Sequence, residues 1–192
     1  PLPNINEING TIGICLGDST DLDFTILDGT APFTVVYDDG SGNITTTFGS
    51  NNGTINVNPA SNTTYTLVRV TDANGCWSAL NGDATITVYA LPTAHISGGG
   101  IICEDENTPI AFTLQNGLSP YNVNYTINSI ATNTVFNISG VNTLMVSPTT
   151  STTYKLMDIT DAHNCYNTAN DSVIIDVNEK VNAIMSGGGD IC

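Results

Sequence analysis

VNPASNTTYTLVRVTDANGC, residues Val57–Cys76, returns 89 residues later as VSPTTSTTYKLMDITDAHNC, residues Val146–Cys165, without a gap and with ten of twenty positions identical. Self-similarity at a fixed period marks a repeat architecture and organises the rest of the reading. Upstream, FTILDGTAPFTVVY (Phe24–Tyr37) matches FTLQNGLSPYNVNY (Phe112–Tyr125) at an offset of 88. INGTIGIC, ending at Cys15, recurs as ISGGGIIC ending at Cys103 and as MSGGGDIC ending at Cys192. The spacing predicts one repeat over 1–92, a second over 93–183, and the opening of a third over 184–192, as in an internal piece of a longer chain.

Within each repeat the apolar period is two. Leu22, Phe24 and Ile26 recur at every second position, as do Phe33, Val35 and Tyr37, and later Ile86 and Val88. Alternation of this kind builds half-buried strands. Turn signals punctuate the repeat at Asp28-Gly29, Asp39-Gly40, Asn52-Gly53, Asn74-Gly75 and Asn81-Gly82. About seven short strands per repeat predict an all-β chain of tandem Ig-like antiparallel β-sandwiches. Tyr65 and Tyr154 each open the sixth strand, where either a tyrosine corner or an ordinary core tyrosine fits.

Composition narrows the function. The 192 residues carry 3 Lys+Arg against 18 Asp+Glu, a net charge of −15, yet only 11% are charged. Three cations cannot neutralise a run of phosphates, which excludes nucleic acid as a partner. No run of 18 apolar residues is present, so no membrane-inserting helix is expected. Asn (24) and Thr (28) supply the polar bulk, suited to turns and strands respectively.

The pattern ISGGGxIC, then GxxPFTVxY, then VxPxxxTTYxL and TDAxGC, resembles the Ig-like, PKD-like tandem repeats of giant cell-surface adhesins of gliding Bacteroidota, the SprB-type gliding-motility adhesins among them. The resemblance covers essentially the whole chain twice. It implies a secreted, extracellular, filamentous cell-surface protein exported by type IX secretion. Its implied partners are neighbouring repeats of the same chain and, through other parts of the full-length protein, surface polysaccharide or the gliding and secretion machinery. It also implies O-glycosylation at Ser19 and Ser172, in Asp18-Ser19-Thr20 and Asp171-Ser172-Val173.

Five cysteines occupy two recurring positions: Cys15, Cys103 and Cys192, then Cys76 and Cys165. Their number and the absence of Cys-x-x-Cys or Cys/His ligand spacing favour disulfides over zinc and an oxidising setting. The spacing supports a bridge inside each repeat, Cys15–Cys76 and Cys103–Cys165, with Cys192 left for the next repeat. Strand counting, however, sets the two cysteines of a repeat at opposite ends of a sandwich. Links across repeats, Cys76–Cys103 and Cys165–Cys192, are the alternative.

Other chemistry has little to run on. His95 and His163 are the only histidines, and neither recurs in the other repeat, so no nucleophile–base pair is expected and the chain reads as a non-enzyme. Asp18, Asp21, Glu104 and Asp105, brought near Asp72 and Asp161 by the intradomain bridges, would offer hard oxygen ligands for Ca²⁺. The other reading of Asp72 and Asp161 is capping of turn backbone. Trp77 and Tyr166 follow the second cysteine and either stack on a sugar ring or cover the neighbouring disulfide. The functional expectation is a structural stalk repeat, with a carbohydrate-binding accessory module as the alternative. The connector LPTAHISGGG, stiffened by Pro92 and lacking a long Gly/Ser linker, predicts a near-rigid joint between repeats.

Overall fold

Alternating Thr, Val and Ile disfavour helix and suit a pleated surface with one face buried. Strands are accordingly the only regular elements in the computed structural model, which describes residues 1–10, 12–181, 183–184 and 186–188. The chain divides into two compact units, Pro1–Ala90 and Leu91–Cys192.

Unit 1 holds β1 (Asn4–Asn9), β2 (Ile12–Cys15), β3 (Thr20–Leu27), β4 (Phe33–Asp38), β5 (Asn43–Phe48), β6 (Asn52–Val57), β7 (Thr63–Thr71), β8 (Trp77–Ala79) and β9 (Asp83–Tyr89). One sheet runs β1-β3-β6 and the other β2-β9-β7-β4-β5, with β8 beside β7. β8 and β9 pair with successive parts of β7, so they share one lane. β1 and β2 are two halves of one strand that changes sheets. Counting β1 with β2 and β8 with β9, the nine segments make seven strands, the arrangement of an Ig-like sandwich.

Unit 2 repeats this plan with β10 (Thr93–Gly98), β11 (Gly100–Cys103), β12 (Thr108–Gln115), β13 (Tyr121–Ile127), β14 (Ala131–Ile138), β15 (Val141–Val146), β16 (Thr152–Thr160), β17 (Tyr166–Thr168) and β18 (Ser172–Asn178). Its sheets run β10-β12-β15 and β11-β18-β16-β13-β14, with β17 beside β16.

Each unit has its own core. Leu22, Phe24 and Ile26 point inward from β3 against Phe33, Val35, Leu67 and Ile86. Ile110, Phe112, Val123, Leu156 and Ile175 do the same in unit 2. Each fully buried side chain of this kind contributes about 1.5–3 kcal/mol. Val35, Val36 and Tyr37 break the alternation, all three being buried. The register with β7 shifts between Val36 and Tyr37, and such a bulge turns successive residues to one side. Tyr65 and Tyr154 are core tyrosines, with ring centroids 6.3 Å from Tyr37 and 6.4 Å from Tyr125. The hydroxyl bond to upstream backbone is made instead by Tyr121, which donates to Asn116 O at 2.5 Å and Gly117 O at 3.3 Å. The equivalent position in unit 1 is Phe33, which has no hydroxyl.

The glycine run is where the first strand changes sheets. Gly98 and Gly99 have φ of +105° and +85°, and a Cβ on either would lie 2.5 Å from a backbone oxygen, of Pro109 and Ile174 respectively. Only a residue without a Cβ fits there. The change of sheet sets the direction of the second half-strand: β2 runs parallel to β9, with Cys15 level with Tyr89, and β11 runs parallel to β18, with Cys103 level with Asn178. The expected third repeat over 184–192 falls largely on residues outside those described, Cys192 included.

Candidate functional site

The polar constellation that recurs in both units lies in the turn between β7 and β8 and in its counterpart between β16 and β17. In unit 1, Asp72 Oδ1 accepts from the N–H groups of Asn74 (3.0 Å) and Cys76 (2.9 Å), and Oδ2 from the N–H of Thr30 (3.2 Å). In unit 2, Asp161 Oδ1 accepts from His163 and Cys165 N–H, both at 2.9 Å, and Oδ2 from Leu118 N–H at 2.8 Å. Each carboxylate thus folds its own cysteine-bearing turn and fastens it to the turn ahead of β4 or β13. Both are buried. Burial pushes the Asp72 carboxyl up, but the backbone donors and the Asn74 side chain outweigh it and hold it below the usual range. This is the turn-capping role expected of the two residues.

These turns define one pole of each sandwich, the one where the chain enters. Pro3 packs at this pole in unit 1 and Pro92 at its counterpart, each beside the glycine of the adjoining turn, Gly29 or Gly117; Asn167 Nδ2 also donates to Pro92 O at 2.9 Å. Cys15 and Cys103 lie at the other pole, where the chain leaves: Leu16 N–H donates to Tyr89 O at 2.8 Å and Glu104 N–H to Asn178 O at 2.9 Å.

This separation corrects the expected disulfides. The nine residues of β7 stand between the levels of Cys15 and Cys76, about 30 Å at ~3.3 Å per residue. A disulfide needs Cα atoms within about 7 Å. Cys76 and Cys103 are exposed free thiols, so neither Cys15–Cys76 nor Cys103–Cys165 forms, and Cys76–Cys103 does not form either. Cys15 and Cys165 are both disulfide-bonded. The Cys165–Cys192 link falls on a residue outside those described.

The same geometry divides the expected calcium ligands. Asp18 turns back on Cys15 O at the exit pole (2.9 Å) and Asp21 accepts from Asn56 Nδ2 (2.7 Å), while Asp72 lies at the entry pole. In unit 2, Asp105 pairs with Lys180 at 2.6 Å and Glu106 accepts from Cys103 N–H at 2.8 Å, again at the pole opposite Asp161; Glu104 adjoins this exit-pole cluster. Among the described residues no group of three or more His, Cys, Asp or Glu side chains could hold a metal ion. The ligand set failed to assemble because it depended on the intradomain bridges.

Trp77 and Tyr166 stand at matching positions on β8 and β17, opposite Thr71 and Thr160, and are 57% and 54% exposed. Trp77 covers no bridge within its unit, since Cys76 is a thiol. Ser19 and Ser172 are both exposed, in the β2–β3 turn and at the start of β18. His95 pairs with Asp171 and His163 lies 3.9 Å from Asp161; the two histidines belong to different parts of the unit. No helix among the described residues is long and apolar enough to cross a membrane. What sequence reasoning missed was the polarity of the cysteines. Its signal was the end-to-end strand count that already conflicted with the preferred pairing.

No protein-family model and no curated protein matches the chain. Among solved structures it is similar to the fibronectin(III)-like modules of Clostridium thermocellum CbhA, at 13% identity and a TM-score of 0.40, over 96% of this chain and 100% of that one. It is also similar to the human OSCAR ligand-binding domain, at 12% identity and a TM-score of 0.37, over 92% and 97%. A third similarity is to the Dpr2 Ig1-Ig2 complex with DIP-Theta Ig1-Ig3, at 8% identity and a TM-score of 0.40, over 92% and 67%. Fold and topology define the class: a tandem of Ig-like antiparallel β-sandwich domains.

Proposed function

We propose that the chain is two stalk repeats of a secreted cell-surface adhesin filament, exported and displayed outside the cell, whose full-length form mediates attachment or gliding motility. The observation that carries this reading is the placement of the chain ends: in each sandwich the chain enters at one pole and leaves at the other, so copies add in series. Three further features support it. The polar constellation that recurs caps turns, the acidic surface suits solubility in an extended array, and the sequence pattern resembles the repeats of gliding-motility adhesins. The partners of such a module are its neighbouring repeats, with adhesion to surface polymer carried elsewhere in the full-length protein.

In-frame deletion of these two repeats from the full-length gene, followed by imaging of surface filaments and an attachment assay, tests the reading. Shorter filaments with retained attachment are expected. Unchanged filament length with lost attachment would overturn it.

The exposed Trp77 and Tyr166 favour a second reading, a carbohydrate-binding accessory module. A glycan array separates the two: ring-dependent binding, abolished by Trp77→Ala with Tyr166→Ala, belongs to this second reading alone.

A further inference from the structure

We infer that Asn81 is a self-modification site, whichever of the two readings above holds: its side-chain amide is lost through ring closure with the Gly82 nitrogen, leaving aspartyl and isoaspartyl residues in unit 1. Asparagine followed by glycine is a thermolabile pair, because a residue without a Cβ leaves its backbone nitrogen open to approach. Five such pairs occur in the chain: Asn9-Gly10, Asn52-Gly53, Asn74-Gly75, Asn81-Gly82 and Asn116-Gly117.

The fold restrains four of them. Asn9 lies in β1 and Asn52 in β6, where extended backbone points the next nitrogen away from the side-chain carbonyl carbon. Asn52 Oδ1 also accepts from Thr25 Oγ1 at 3.3 Å. At Asn74 both reacting groups are engaged: Nδ2 donates to Thr30 Oγ1 at 3.1 Å, and the Gly75 N–H donates to Asp72 O at 3.0 Å. Asn116 Nδ2 donates to Thr93 Oγ1 at 3.3 Å, and its main-chain carbonyl accepts from the Tyr121 hydroxyl.

Asn81 differs on three counts. It sits between β8 and β9, outside any strand, and is exposed. Among the described residues, neither its side chain nor the Gly82 N–H has a hydrogen-bond partner. A cleft of about 430 Å³, lined by Ile8, Asn9, Gly10, Gly82 and Asp83 among others, brings water to the same loop. Unit 2 shows how such a loop is tied down. Asp171 stands where unit 1 has Gly82, and its Oδ2 accepts from the Ile96 N–H at 3.0 Å. The carbonyls of Gly82 and Asp171 accept from Leu67 and Leu156 N–H alike, both at 2.8 Å. The two loops share a backbone path, and the tethering side chain is what unit 1 lacks.

The Gly82 nitrogen, having given its proton to hydroxide, attacks Asn81 Cγ. The N–Cγ bond forms, the bond from Cγ to Nδ2 breaks, and ammonia leaves with a proton taken back from water, closing a cyclic succinimide. Water then adds to either imide carbonyl. Breaking the Gly82 N–Cγ bond gives aspartate; breaking the bond from Gly82 N to the main-chain carbonyl carbon gives isoaspartate. One water is consumed and one ammonia released, with no oxidation or reduction. Either product places a new negative charge two residues from Asp83. Isoaspartate also lengthens the backbone by one atom between the Leu80 N–H, which donates to Val68 O at 2.9 Å, and the Gly82 carbonyl, so the change loosens the hold of this loop on β7.

The folded chain is aged at mildly alkaline pH in heavy-oxygen water, which labels each new carboxylate, then reduced, alkylated and cut with trypsin. Arg69, Lys155 and Lys180 are the only Lys and Arg residues, so peptide 1–69 reports Asn9 and Asn52, and peptide 70–155 reports the other three. Electron-transfer fragmentation locates the acid and separates aspartate from isoaspartate. Conversion at Asn81 should run at least about tenfold faster than at any other pair, because the restrained sites react only on local opening. In urea the selectivity should vanish, all five pairs converging within about threefold. Another pair leading in the folded chain, or equal conversion at all five, would overturn the inference. Asn81 leading by an undiminished margin in urea would overturn it as well, since neighbouring residues and not the fold would then be the cause.

Discussion

Truncating Asp161 to alanine removes one acceptor and strands three donors. The N–H groups of Leu118, His163 and Cys165 lie 2.8–2.9 Å from its carboxylate, and the side chain is fully buried. A buried donor left without a partner costs about 1–3 kcal/mol. Cys165 is buried, while Leu118 is exposed and His163 half-buried, so water can reach two of the three donors. One full penalty and two partial ones come to about 3 kcal/mol. A loss of that size raises the population of the open form by roughly 100-fold. Hydrogen exchange with mass spectrometry, in reductant so that no bridge transmits the effect, reads the two units separately. Core amides of β12, β13 and β16 should exchange roughly 100-fold faster, while those of β3, β4 and β7 keep their rates. Asp161→Asn keeps one acceptor oxygen and should lose about half as much. A change below threefold in Asp161→Ala would refute the reasoning, because it would mean the turn holds without its carboxylate.

Acid should unfold unit 1 by a related route. The Asp72 carboxyl is held below its ordinary value when folded, so its stabilising contribution is present above the unfolded value of about 3.9 and disappears as pH falls through the lower folded value. A circular-dichroism titration of Asp72→Asn should show a shallower loss of unit 1 stability below about pH 4 than the parent chain. Phe112→Ala, at a site with no solvent exposure, should cost about 3–5 kcal/mol in urea denaturation of unit 2. Gly99→Ala places a methyl 2.5 Å from Ile174 O at a φ of +85°; it should destabilise unit 2 and accelerate exchange in β11 and β18, and unchanged exchange there would remove the sheet-switch role of the glycine run.

The fold was legible because strands and turns leave local marks. Leu22, Phe24 and Ile26 announce an inward face, and Asn-Gly pairs announce the ends. The split of the first strand was legible only as a kink, since nothing local in ISGGG says that the residues before it join β12 and those after it join β18. The burial of Val36 beside Val35 and Tyr37 left no such mark, because a bulge is a matter of register with a partner strand. The cysteines show the limit most plainly. The interval from Cys15 to Cys76 is 61 residues, against 27 from Cys76 to Cys103, so loop length alone selects no pairing. Which pole a residue occupies depends on strand direction, which the first strand sets only after it has crossed to the other sheet. The turn-capping role of Asp72 and Asp161, by contrast, was readable, because an Asp two residues before an Asn or His in a tight turn carries its own donors with it.

Force applied to the two termini tests most directly whether these repeats carry tension as links in series. In reductant, each unit of about 90–100 residues has its own core, so extension should proceed in two separate unfolding steps of roughly 300 Å each. A single step of about twice that length would contradict the account.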